Sequence, residues 1–226
     1  MTNLKNYKLN MEPSVAVVIL NWNGQSFLER FLPSVVKTNY DNLQVVVADN
    51  ASTDNSISFL AQYYPDVEVI VYDKNYGFAE GYNQALAKVN ADYFVLLNSD
   101  VEVPENWIKP VIDVMQSDEN IAAAQPKIKW QQNKAMFEYA GAAGGFIDSF
   151  GFTFCRGRIF DQLEEDLNQY NTDLPVFWAS GAAFFIKSKV WKEVGGLDAD
   201  LFAHMEEIDL CWRLKNNGYK VVCCTS

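Results

Sequence analysis

Four short apolar runs punctuate the first hundred residues: "VAVVIL" (15–20), "LQVVVAD" (43–49), "VEVIVYD" (67–73) and "DYFVLLN" (92–98). Each is nearly continuous in Val, Ile, Leu, Phe or Tyr, which predicts strands covered on both faces, as in a parallel sheet. The segments between them, "SFLERFLPSVVKT", "STDNSISFLAQYY" and "GFAEGYNQALAKV", bring apolar residues near helical spacing, as at Phe78, Tyr82 and Leu86. Strand and helix in alternation predict an α/β chain with a Rossmann-like, mainly parallel sheet flanked by helices.

The pattern changes after "IAAAQPKIKW" (121–130), a further predicted strand. Residues 131–175 have no clear period. They are rich in Gly, Ala and Phe at first and then acidic, and read as a long, irregular, exposed excursion. Regularity returns in "PVFWASGAAFFIKSKVWKEVGG", a strand and a short helix stopped by a Gly pair. A helix in "HMEEIDLCWRLKNNG" and a strand in "YKVVCC" follow. The chain reads as a single domain, 1–226, in two halves, 14–130 and 131–226.

Every strand of the first half ends in small or polar residues: Asn21 to Gly24, Asp49 to Asp54, Asp73 to Gly77 and Asn98 to Asp100. In doubly wound sheets ligands bind outside the carboxyl ends of the strands, so these clusters should line one rim. Asp100 suits a hard divalent cation, which prefers oxygen ligands and commonly takes one or two carboxylates plus substrate phosphates. Asn98 offers a neutral carbonyl beside it. Asp49 is placed to accept hydrogen bonds from a nucleobase or ribose. Ser52, Thr53 and Asp54 are candidate N-caps for the following helix.

Composition narrows the partners. The 18 basic and 29 acidic residues leave a net charge of -11, which argues against nucleic acid. The cysteines, Cys155, Cys211, Cys223 and Cys224, form no C-x-x-C pair and fit a reducing compartment. No apolar run approaches the ~20 residues of a membrane span, and "MTNLKNYKLNMEP" lacks the apolar core of a leader. The chain reads as cytoplasmic, with a place at the inner face of the membrane if segments outside it make peripheral contact.

Projected at about 100° per residue, "HMEEIDLCWRL" puts Glu206, Asp209 and Arg213 on one side, read as a salt-bridged polar face. Glu207 falls among Leu210, Cys211 and Leu214. A carboxylate withdrawn from water has its pKa raised, in the direction a general base near neutrality needs, while a helix N-terminus pulls the other way.

Six stretches in this order, "VVILNWNG", "VVVADNASTDNS", "NYGFAEGYNQA", "LLNSD", "ASGAAFFIKSKVWKEVGGLDADLF" and "EEIDLCWRL", closely resemble the family 2 inverting glycosyltransferases of the GT-A fold, especially their rhamnosyltransferase-like branch. The resemblance spans roughly residues 14 to 224 and implies a nucleotide-sugar-binding half (14–130) and an acceptor-side half (131–226). It implies that Asn21, Asp49, Asn75 and Asn83 lie along the nucleotide, and that Asn98-Ser99-Asp100 stands at the family's D-x-D motif. Asp100 is then the ligand of Mg²⁺ or Mn²⁺ bridging the diphosphate. It also implies that "EEID" holds the acidic pair, with Glu207 as base and Glu206 or Asp209 as substitutes. Asn98 replaces the first acid of D-x-D, Glu207 is one methylene longer than the usual Asp, and a His-Gly-Gly-like continuation is expected beyond "VVCCTS".

The mechanism so implied is a single displacement with inversion, from a UDP- or dTDP-sugar to a glycan or lipid-linked hydroxyl, in cell-surface polysaccharide synthesis. Acceptor contacts are expected from the 131–175 excursion and from Trp178, Ser180 and Gly181 of "WASG". A sugar-phosphate nucleotidyltransferase is the rival enzyme, although "NWNGQSF" lacks the Gly-rich basic loop a triphosphate needs. A non-catalytic nucleotide-sugar-binding subunit is the other alternative.

Overall fold

The computed structural model describes residues 12–201 and 203–225; the reading against a leader rests mostly on residues 1–11 and lies outside them. The chain begins β1 (Val15–Asn21), α1 (Gln25–Val36), β2 (Leu43–Asp49), α2 (Ser56–Tyr63), β3 (Glu68–Val71) and α3 (Gly77–Lys88). There follow β4 (Tyr93–Leu97), α4 (Ile108–Ser117) and β5 (Ile121–Pro126). Five short strands come next: β6 (Gly145–Ile147), β7 (Thr153–Cys155), β8 (Arg158–Ile159), β9 (Gln162–Leu163) and β10 (Leu174–Val176). The chain closes with β11 (Ala183–Lys187), α5 (Ser188–Val194), a 3-10 turn (Ala199–Leu201), α6 (Glu206–Asn216) and β12 (Lys220–Cys224).

Eight strands form one sheet in the order β10-β12-β5-β11-β4-β1-β2-β3. β1 lies parallel to both β2 and β4, and β11 runs antiparallel between β4 and β5. The sheet is therefore mixed and mainly parallel, as the strand-helix alternation predicts. Its two faces explain the unbroken apolar runs: Ala16 and Val18 pack with α3, α5 and α6, while Val15, Val17 and Ile19 pack with α1, α2 and α4. Period-two alternation would leave one face wet, and this sheet has no wet face at its centre.

The excursion differs from the irregular segment expected. β6 pairs with β7, β8 pairs with β9, and β10 joins the edge of the main sheet against β12. Gly145 lets the excursion lie flat on the Trp178 indole, where a Cβ would come within 1.9 Å of the ring. The acidic stretch is not uniformly exposed either, because the Asp166 side chain is 1% accessible and paired with Lys127 at 3.0 Å and Lys129 at 2.7 Å. Burial alone pushes that carboxyl up, but the hydrogen bonds from Lys129 and Lys127 prevail and hold it at about 2. This latch ties the excursion to the exit of β5.

Candidate active site

The polar clusters after β1, β2 and β4 do meet at one edge. Asn21 and Asp49 are register partners at the ends of β1 and β2, and both are 0% exposed. The Asn21 amide donates to Asp49 Oδ2 at 2.9 Å and to Ser52 Oγ at 3.2 Å, while Asp49 Oδ1 accepts the Ser52 amide at 2.8 Å. Asn21 Oδ1 is buried without a partner, a free acceptor beneath the rim. Gly24 leaves the room it needs, since a Cβ there would sit 2.4 Å from that oxygen.

The N-caps expected at Ser52, Thr53 and Asp54 take a different form. The N-cap of α2 is Asn55, which makes no side-chain capping bond. Ser52 serves Asn21 and the Asn23 amide, while Asn23 Oδ1 accepts the Thr53 and Asp54 amides. Asp54 accepts the amides of Gln25 at 3.0 Å and Ser56 at 3.0 Å, so one carboxylate serves the first turns of both α1 and α2.

Asn75 is exposed, and its Oδ1 accepts from Asn50 and from the Gly77 amide. Asn50, 2% exposed, is the organiser that motif reading passed over: it also donates to the Gly77 carbonyl and accepts the Tyr76 amide. Asn83 faces elsewhere. Its carboxamide donates to the Leu197 carbonyl at 2.8 Å and accepts the Leu197 amide at 2.9 Å, which pins α3 to the turn before α6. Both ends of Asn83 are thereby occupied.

The chain leaves β4 beside β1, with Ile19 and Leu97 in register. Asn98 donates its backbone amide to Ala182, and its side chain is half-buried. Asp100 is exposed, and among the described residues its carboxylate takes no hydrogen bond or ion pair from the protein. No group of three His, Cys, Asp or Glu side chains is placed to hold a metal among the described residues. One unpartnered carboxylate with an amide oxygen nearby fits Mg²⁺ or Mn²⁺ held jointly with a diphosphate and water. Trp22, 59% exposed at the end of β1, adds a flat apolar surface to this edge that the search for polar residues missed.

α6 follows the turn at Leu197 that Asn83 ties to α3. His204 and Met205 precede it with φ of 75° and 72°, left-handed conformations that cost non-glycine residues about 1–3 kcal/mol each. The turn they make brings Glu206 inward. Its 5% exposure corrects its place on an exposed salt-bridged face; only Asp209 and Arg213 form that pair, at 2.8 Å. Arg213 also donates to the carbonyls of Val194 and Gly196. Glu206 shows less surface than the half-buried Glu207, yet Glu207 is the more strongly perturbed, because burial weighs more on its carboxyl and the Glu206 charge adds to it. Burial, with the Glu206 charge adding, raises Glu207 to about 7, while backbone amides at the helix start pull less strongly the other way. Burial also raises Glu206, and each residue keeps one buried, unpartnered Oε2. Tyr82 of α3 is fully buried, and its hydroxyl donates to the Leu97 carbonyl of β4 at 3.1 Å. Burial pushes that hydroxyl up, and the charges of Asp100 and Glu206 add to the effect.

The "WASG" residues lie beneath the surface. Trp178 is 6% exposed and donates its indole N–H to the Phe146 carbonyl; Ser180 is 3% exposed and donates to the Ala140 carbonyl at 2.7 Å. Gly181 packs toward the Phe78 ring. The polar groups of Trp178 and Ser180 are thus spent within the protein.

The comparisons agree with this architecture. The profile described as glycosyl transferase family 2 matches residues 16–188, and the chain belongs to that family. Similar proteins include an N-acetylglucosaminyl-diphospho-decaprenol L-rhamnosyltransferase of Mycobacterium tuberculosis, 24% identical over 92% of this chain and 73% of the relative. Rhamnosyltransferase WbbL of Escherichia coli is 21% identical over 92% of this chain and 79% of its own length. Among solved structures, the mannosyltransferase PcManGT from Pyrobaculum calidifontis, in complex with GDP-Man and Mn²⁺, superposes with a TM-score of 0.65 at 18% identity over 95% of this chain. GalNAc-T7 with UDP, GalNAc and Mn²⁺ gives 0.74 at 17% identity over 94%. This chain spans 55% and 42% of those two proteins. The fold is that of a GT-A glycosyltransferase.

Proposed function

We propose that the chain transfers a sugar, with inversion, from a nucleoside diphosphate donor to a hydroxyl of a glycan or lipid-linked acceptor in polysaccharide synthesis. The observation that carries this reading is Glu207, a carboxyl brought to about 7 by burial at the start of α6, with an unpartnered oxygen, in a chain whose β4 exit carries the unpaired Asp100. Glu207 removes the acceptor proton as the hydroxyl attacks the anomeric carbon, and Glu206 keeps it basic by adding negative charge. A subunit that only held nucleotide sugars would gain nothing from such a carboxylate, and family membership favours glycosyl over nucleotidyl transfer.

Asp100, with the Asn98 carbonyl beside it, would hold Mg²⁺ or Mn²⁺; when bound, the ion offsets charge growing on the departing diphosphate. Asn21 and Asp49, joined in one buried pair, present the free Asn21 Oδ1 to a base or ribose, with Asn75 at the neighbouring turn. Trp22 offers a face for a base to stack on. Asn83 supports this half from below. In this reading residues 14–130 serve the donor and 131–226 the acceptor, with Trp178, Ser180 and Gly181 setting the acceptor wall. UDP- and dTDP-sugars are the proposed donors, and the names of the rhamnosyltransferase relatives support a deoxyhexose.

Four buried free cysteines fit the cytoplasmic side of a membrane, and no helix among the described residues is long and apolar enough to cross one. The test is nucleoside diphosphate release from UDP-, dTDP- and GDP-sugars with Mn²⁺ or Mg²⁺. Binding that survives Glu207→Gln while turnover is lost supports the assignment; undiminished turnover overturns it.

A further inference from the structure

We infer that Glu138, on the excursion, is a specificity-determining residue that accepts hydrogen bonds from hydroxyls of the sugar being transferred. The inference rests on the glycosyl-transfer reading of the rim. Three links carry Glu138 to the edge where Asp100 stands. Lys134 pairs with Glu102 at 2.9 Å, which fixes the start of the excursion against the segment just after Asp100. Glu138 Oε2 accepts the Ala140 amide at 2.6 Å, and the Ala140 carbonyl accepts from Ser180 Oγ at 2.7 Å. Ser180 Oγ in turn accepts the Ala182 amide at 3.3 Å, and the Ala182 carbonyl holds the Asn98 amide at 3.0 Å.

Gly141 makes this seat tight, since a Cβ there would lie 2.3 Å from Ser180 Cβ, and its φ is +140°. Gln125, 0% exposed, completes the frame by donating to the Gly141 carbonyl and accepting the Ser180 amide. Glu138 thus stands on a braced turn with one oxygen holding the turn and the other without a protein partner among the described residues. Burial raises its carboxyl, and the Asp100 charge adds to that rise while Arg158 opposes it, which agrees with the approach that the hydrogen bonds describe.

A carboxylate facing a diphosphate site repels the phosphates themselves. What it accepts from a donor is the O–H groups of the sugar, and an ionised acceptor makes such bonds stronger than a neutral one does. Selection then follows from which hydroxyls a given sugar offers, because a missing hydroxyl leaves the acceptor unpaired.

The experiment uses the whole protein with Mn²⁺ and compares UDP-glucose, UDP-N-acetylglucosamine, dTDP-rhamnose and GDP-mannose with free UDP, dTDP and GDP by calorimetry. Glu138→Gln keeps an acceptor for the Ala140 amide and so preserves the turn; Glu138→Ala removes it. For the donor that the wild type prefers, the Kd and KM should rise about 10- to 100-fold in Glu138→Ala and less in Glu138→Gln. The Kd of the free diphosphate should stay within about twofold, and the melting temperature of Glu138→Gln should match that of the wild type. Equal weakening of diphosphate and sugar nucleotide overturns the inference in favour of a metal or phosphate role. An unchanged preference among donors in both variants overturns it in favour of a purely structural one. A wild type that binds none of the seven nucleotides refutes the glycosyl-transfer reading itself, before Glu138 is at issue.

Discussion

Replacing Glu207 by Gln should raise stability as it abolishes turnover. The folded carboxyl keeps its proton up to about 7, whereas the unfolded one releases it near 4.5. The native state therefore binds more protons between those values, so this group's contribution is fully favourable below pH 4.5. It declines as pH rises, and is lost above about 7. At about 1.36 kcal/mol per pKa unit the penalty comes to roughly 3 kcal/mol, or about 2–3 kcal/mol allowing for the carboxyl's partial contact with solvent. A glutamine of the same length carries no such penalty. For a domain of this size, where 1 kcal/mol shifts Tm by about 2–4 °C, Glu207→Gln should melt about 5–10 °C above wild type at pH 8.5 and close to it at pH 4.5. Metal-free thermal or urea melts across that range measure the difference. Two stability curves that run parallel in pH would refute the placement of a proton-holding carboxyl at the head of α6. Loss of the base should also lower kcat by about 10²–10⁴-fold.

Other expectations follow from the same site. Glu206→Gln removes a neighbouring negative charge, so the acidic limb of the kcat/KM profile should move to lower pH; a shift upward would contradict the arrangement. Asp100→Ala should abolish Mn²⁺-stimulated turnover and weaken nucleoside diphosphate binding by about 100-fold, several kcal/mol being typical of metal-borne charge, yet leave the melting temperature unchanged because no group among the described residues pairs with it. Asn83→Ala deletes both bonds to Leu197 and should lower stability by about 2–3 kcal/mol, readable in urea melts, with kcat reduced through misplacement of α6. Gly145→Ala drives a Cβ into the Trp178 indole and should abolish soluble folded protein, checked by expression and circular dichroism.

The central strands were legible because their apolar runs are unbroken: β2 covers Leu43–Asp49, the run read from sequence, and β1 extends only to Asn21. The rim followed from those strand ends. β6 to β9 were not legible, since strands of two or three residues carry no period, and what orders them is distant: Asp166 with Lys127 and Lys129, Gly145 on Trp178. Helical projection anticipated the partial burial of Glu207 and misplaced Glu206, because the projection assumes a helix continuing on both sides. Here the helix starts at Glu206 after two left-handed residues, and the first turn takes its direction from them. Asn83 belonged to a recognisable motif, but its partner lies 114 residues away and no local pattern announces it.

β11 occupies the slot between β4 and β5, although both of those neighbours precede it by more than fifty residues. During synthesis the two strands emerge first and leave one seat between them empty. At about 5–20 residues per second the missing strand arrives roughly 3–11 s later. Over that interval β4 and β5 present apolar edges with unpaired amides, the kind of surface that recruits another chain. The strand that completes the active-site rim is thus also the last to close the sheet's centre. Crowding of nascent chains, rather than weakness of the finished fold, is where this architecture is most exposed to misassembly.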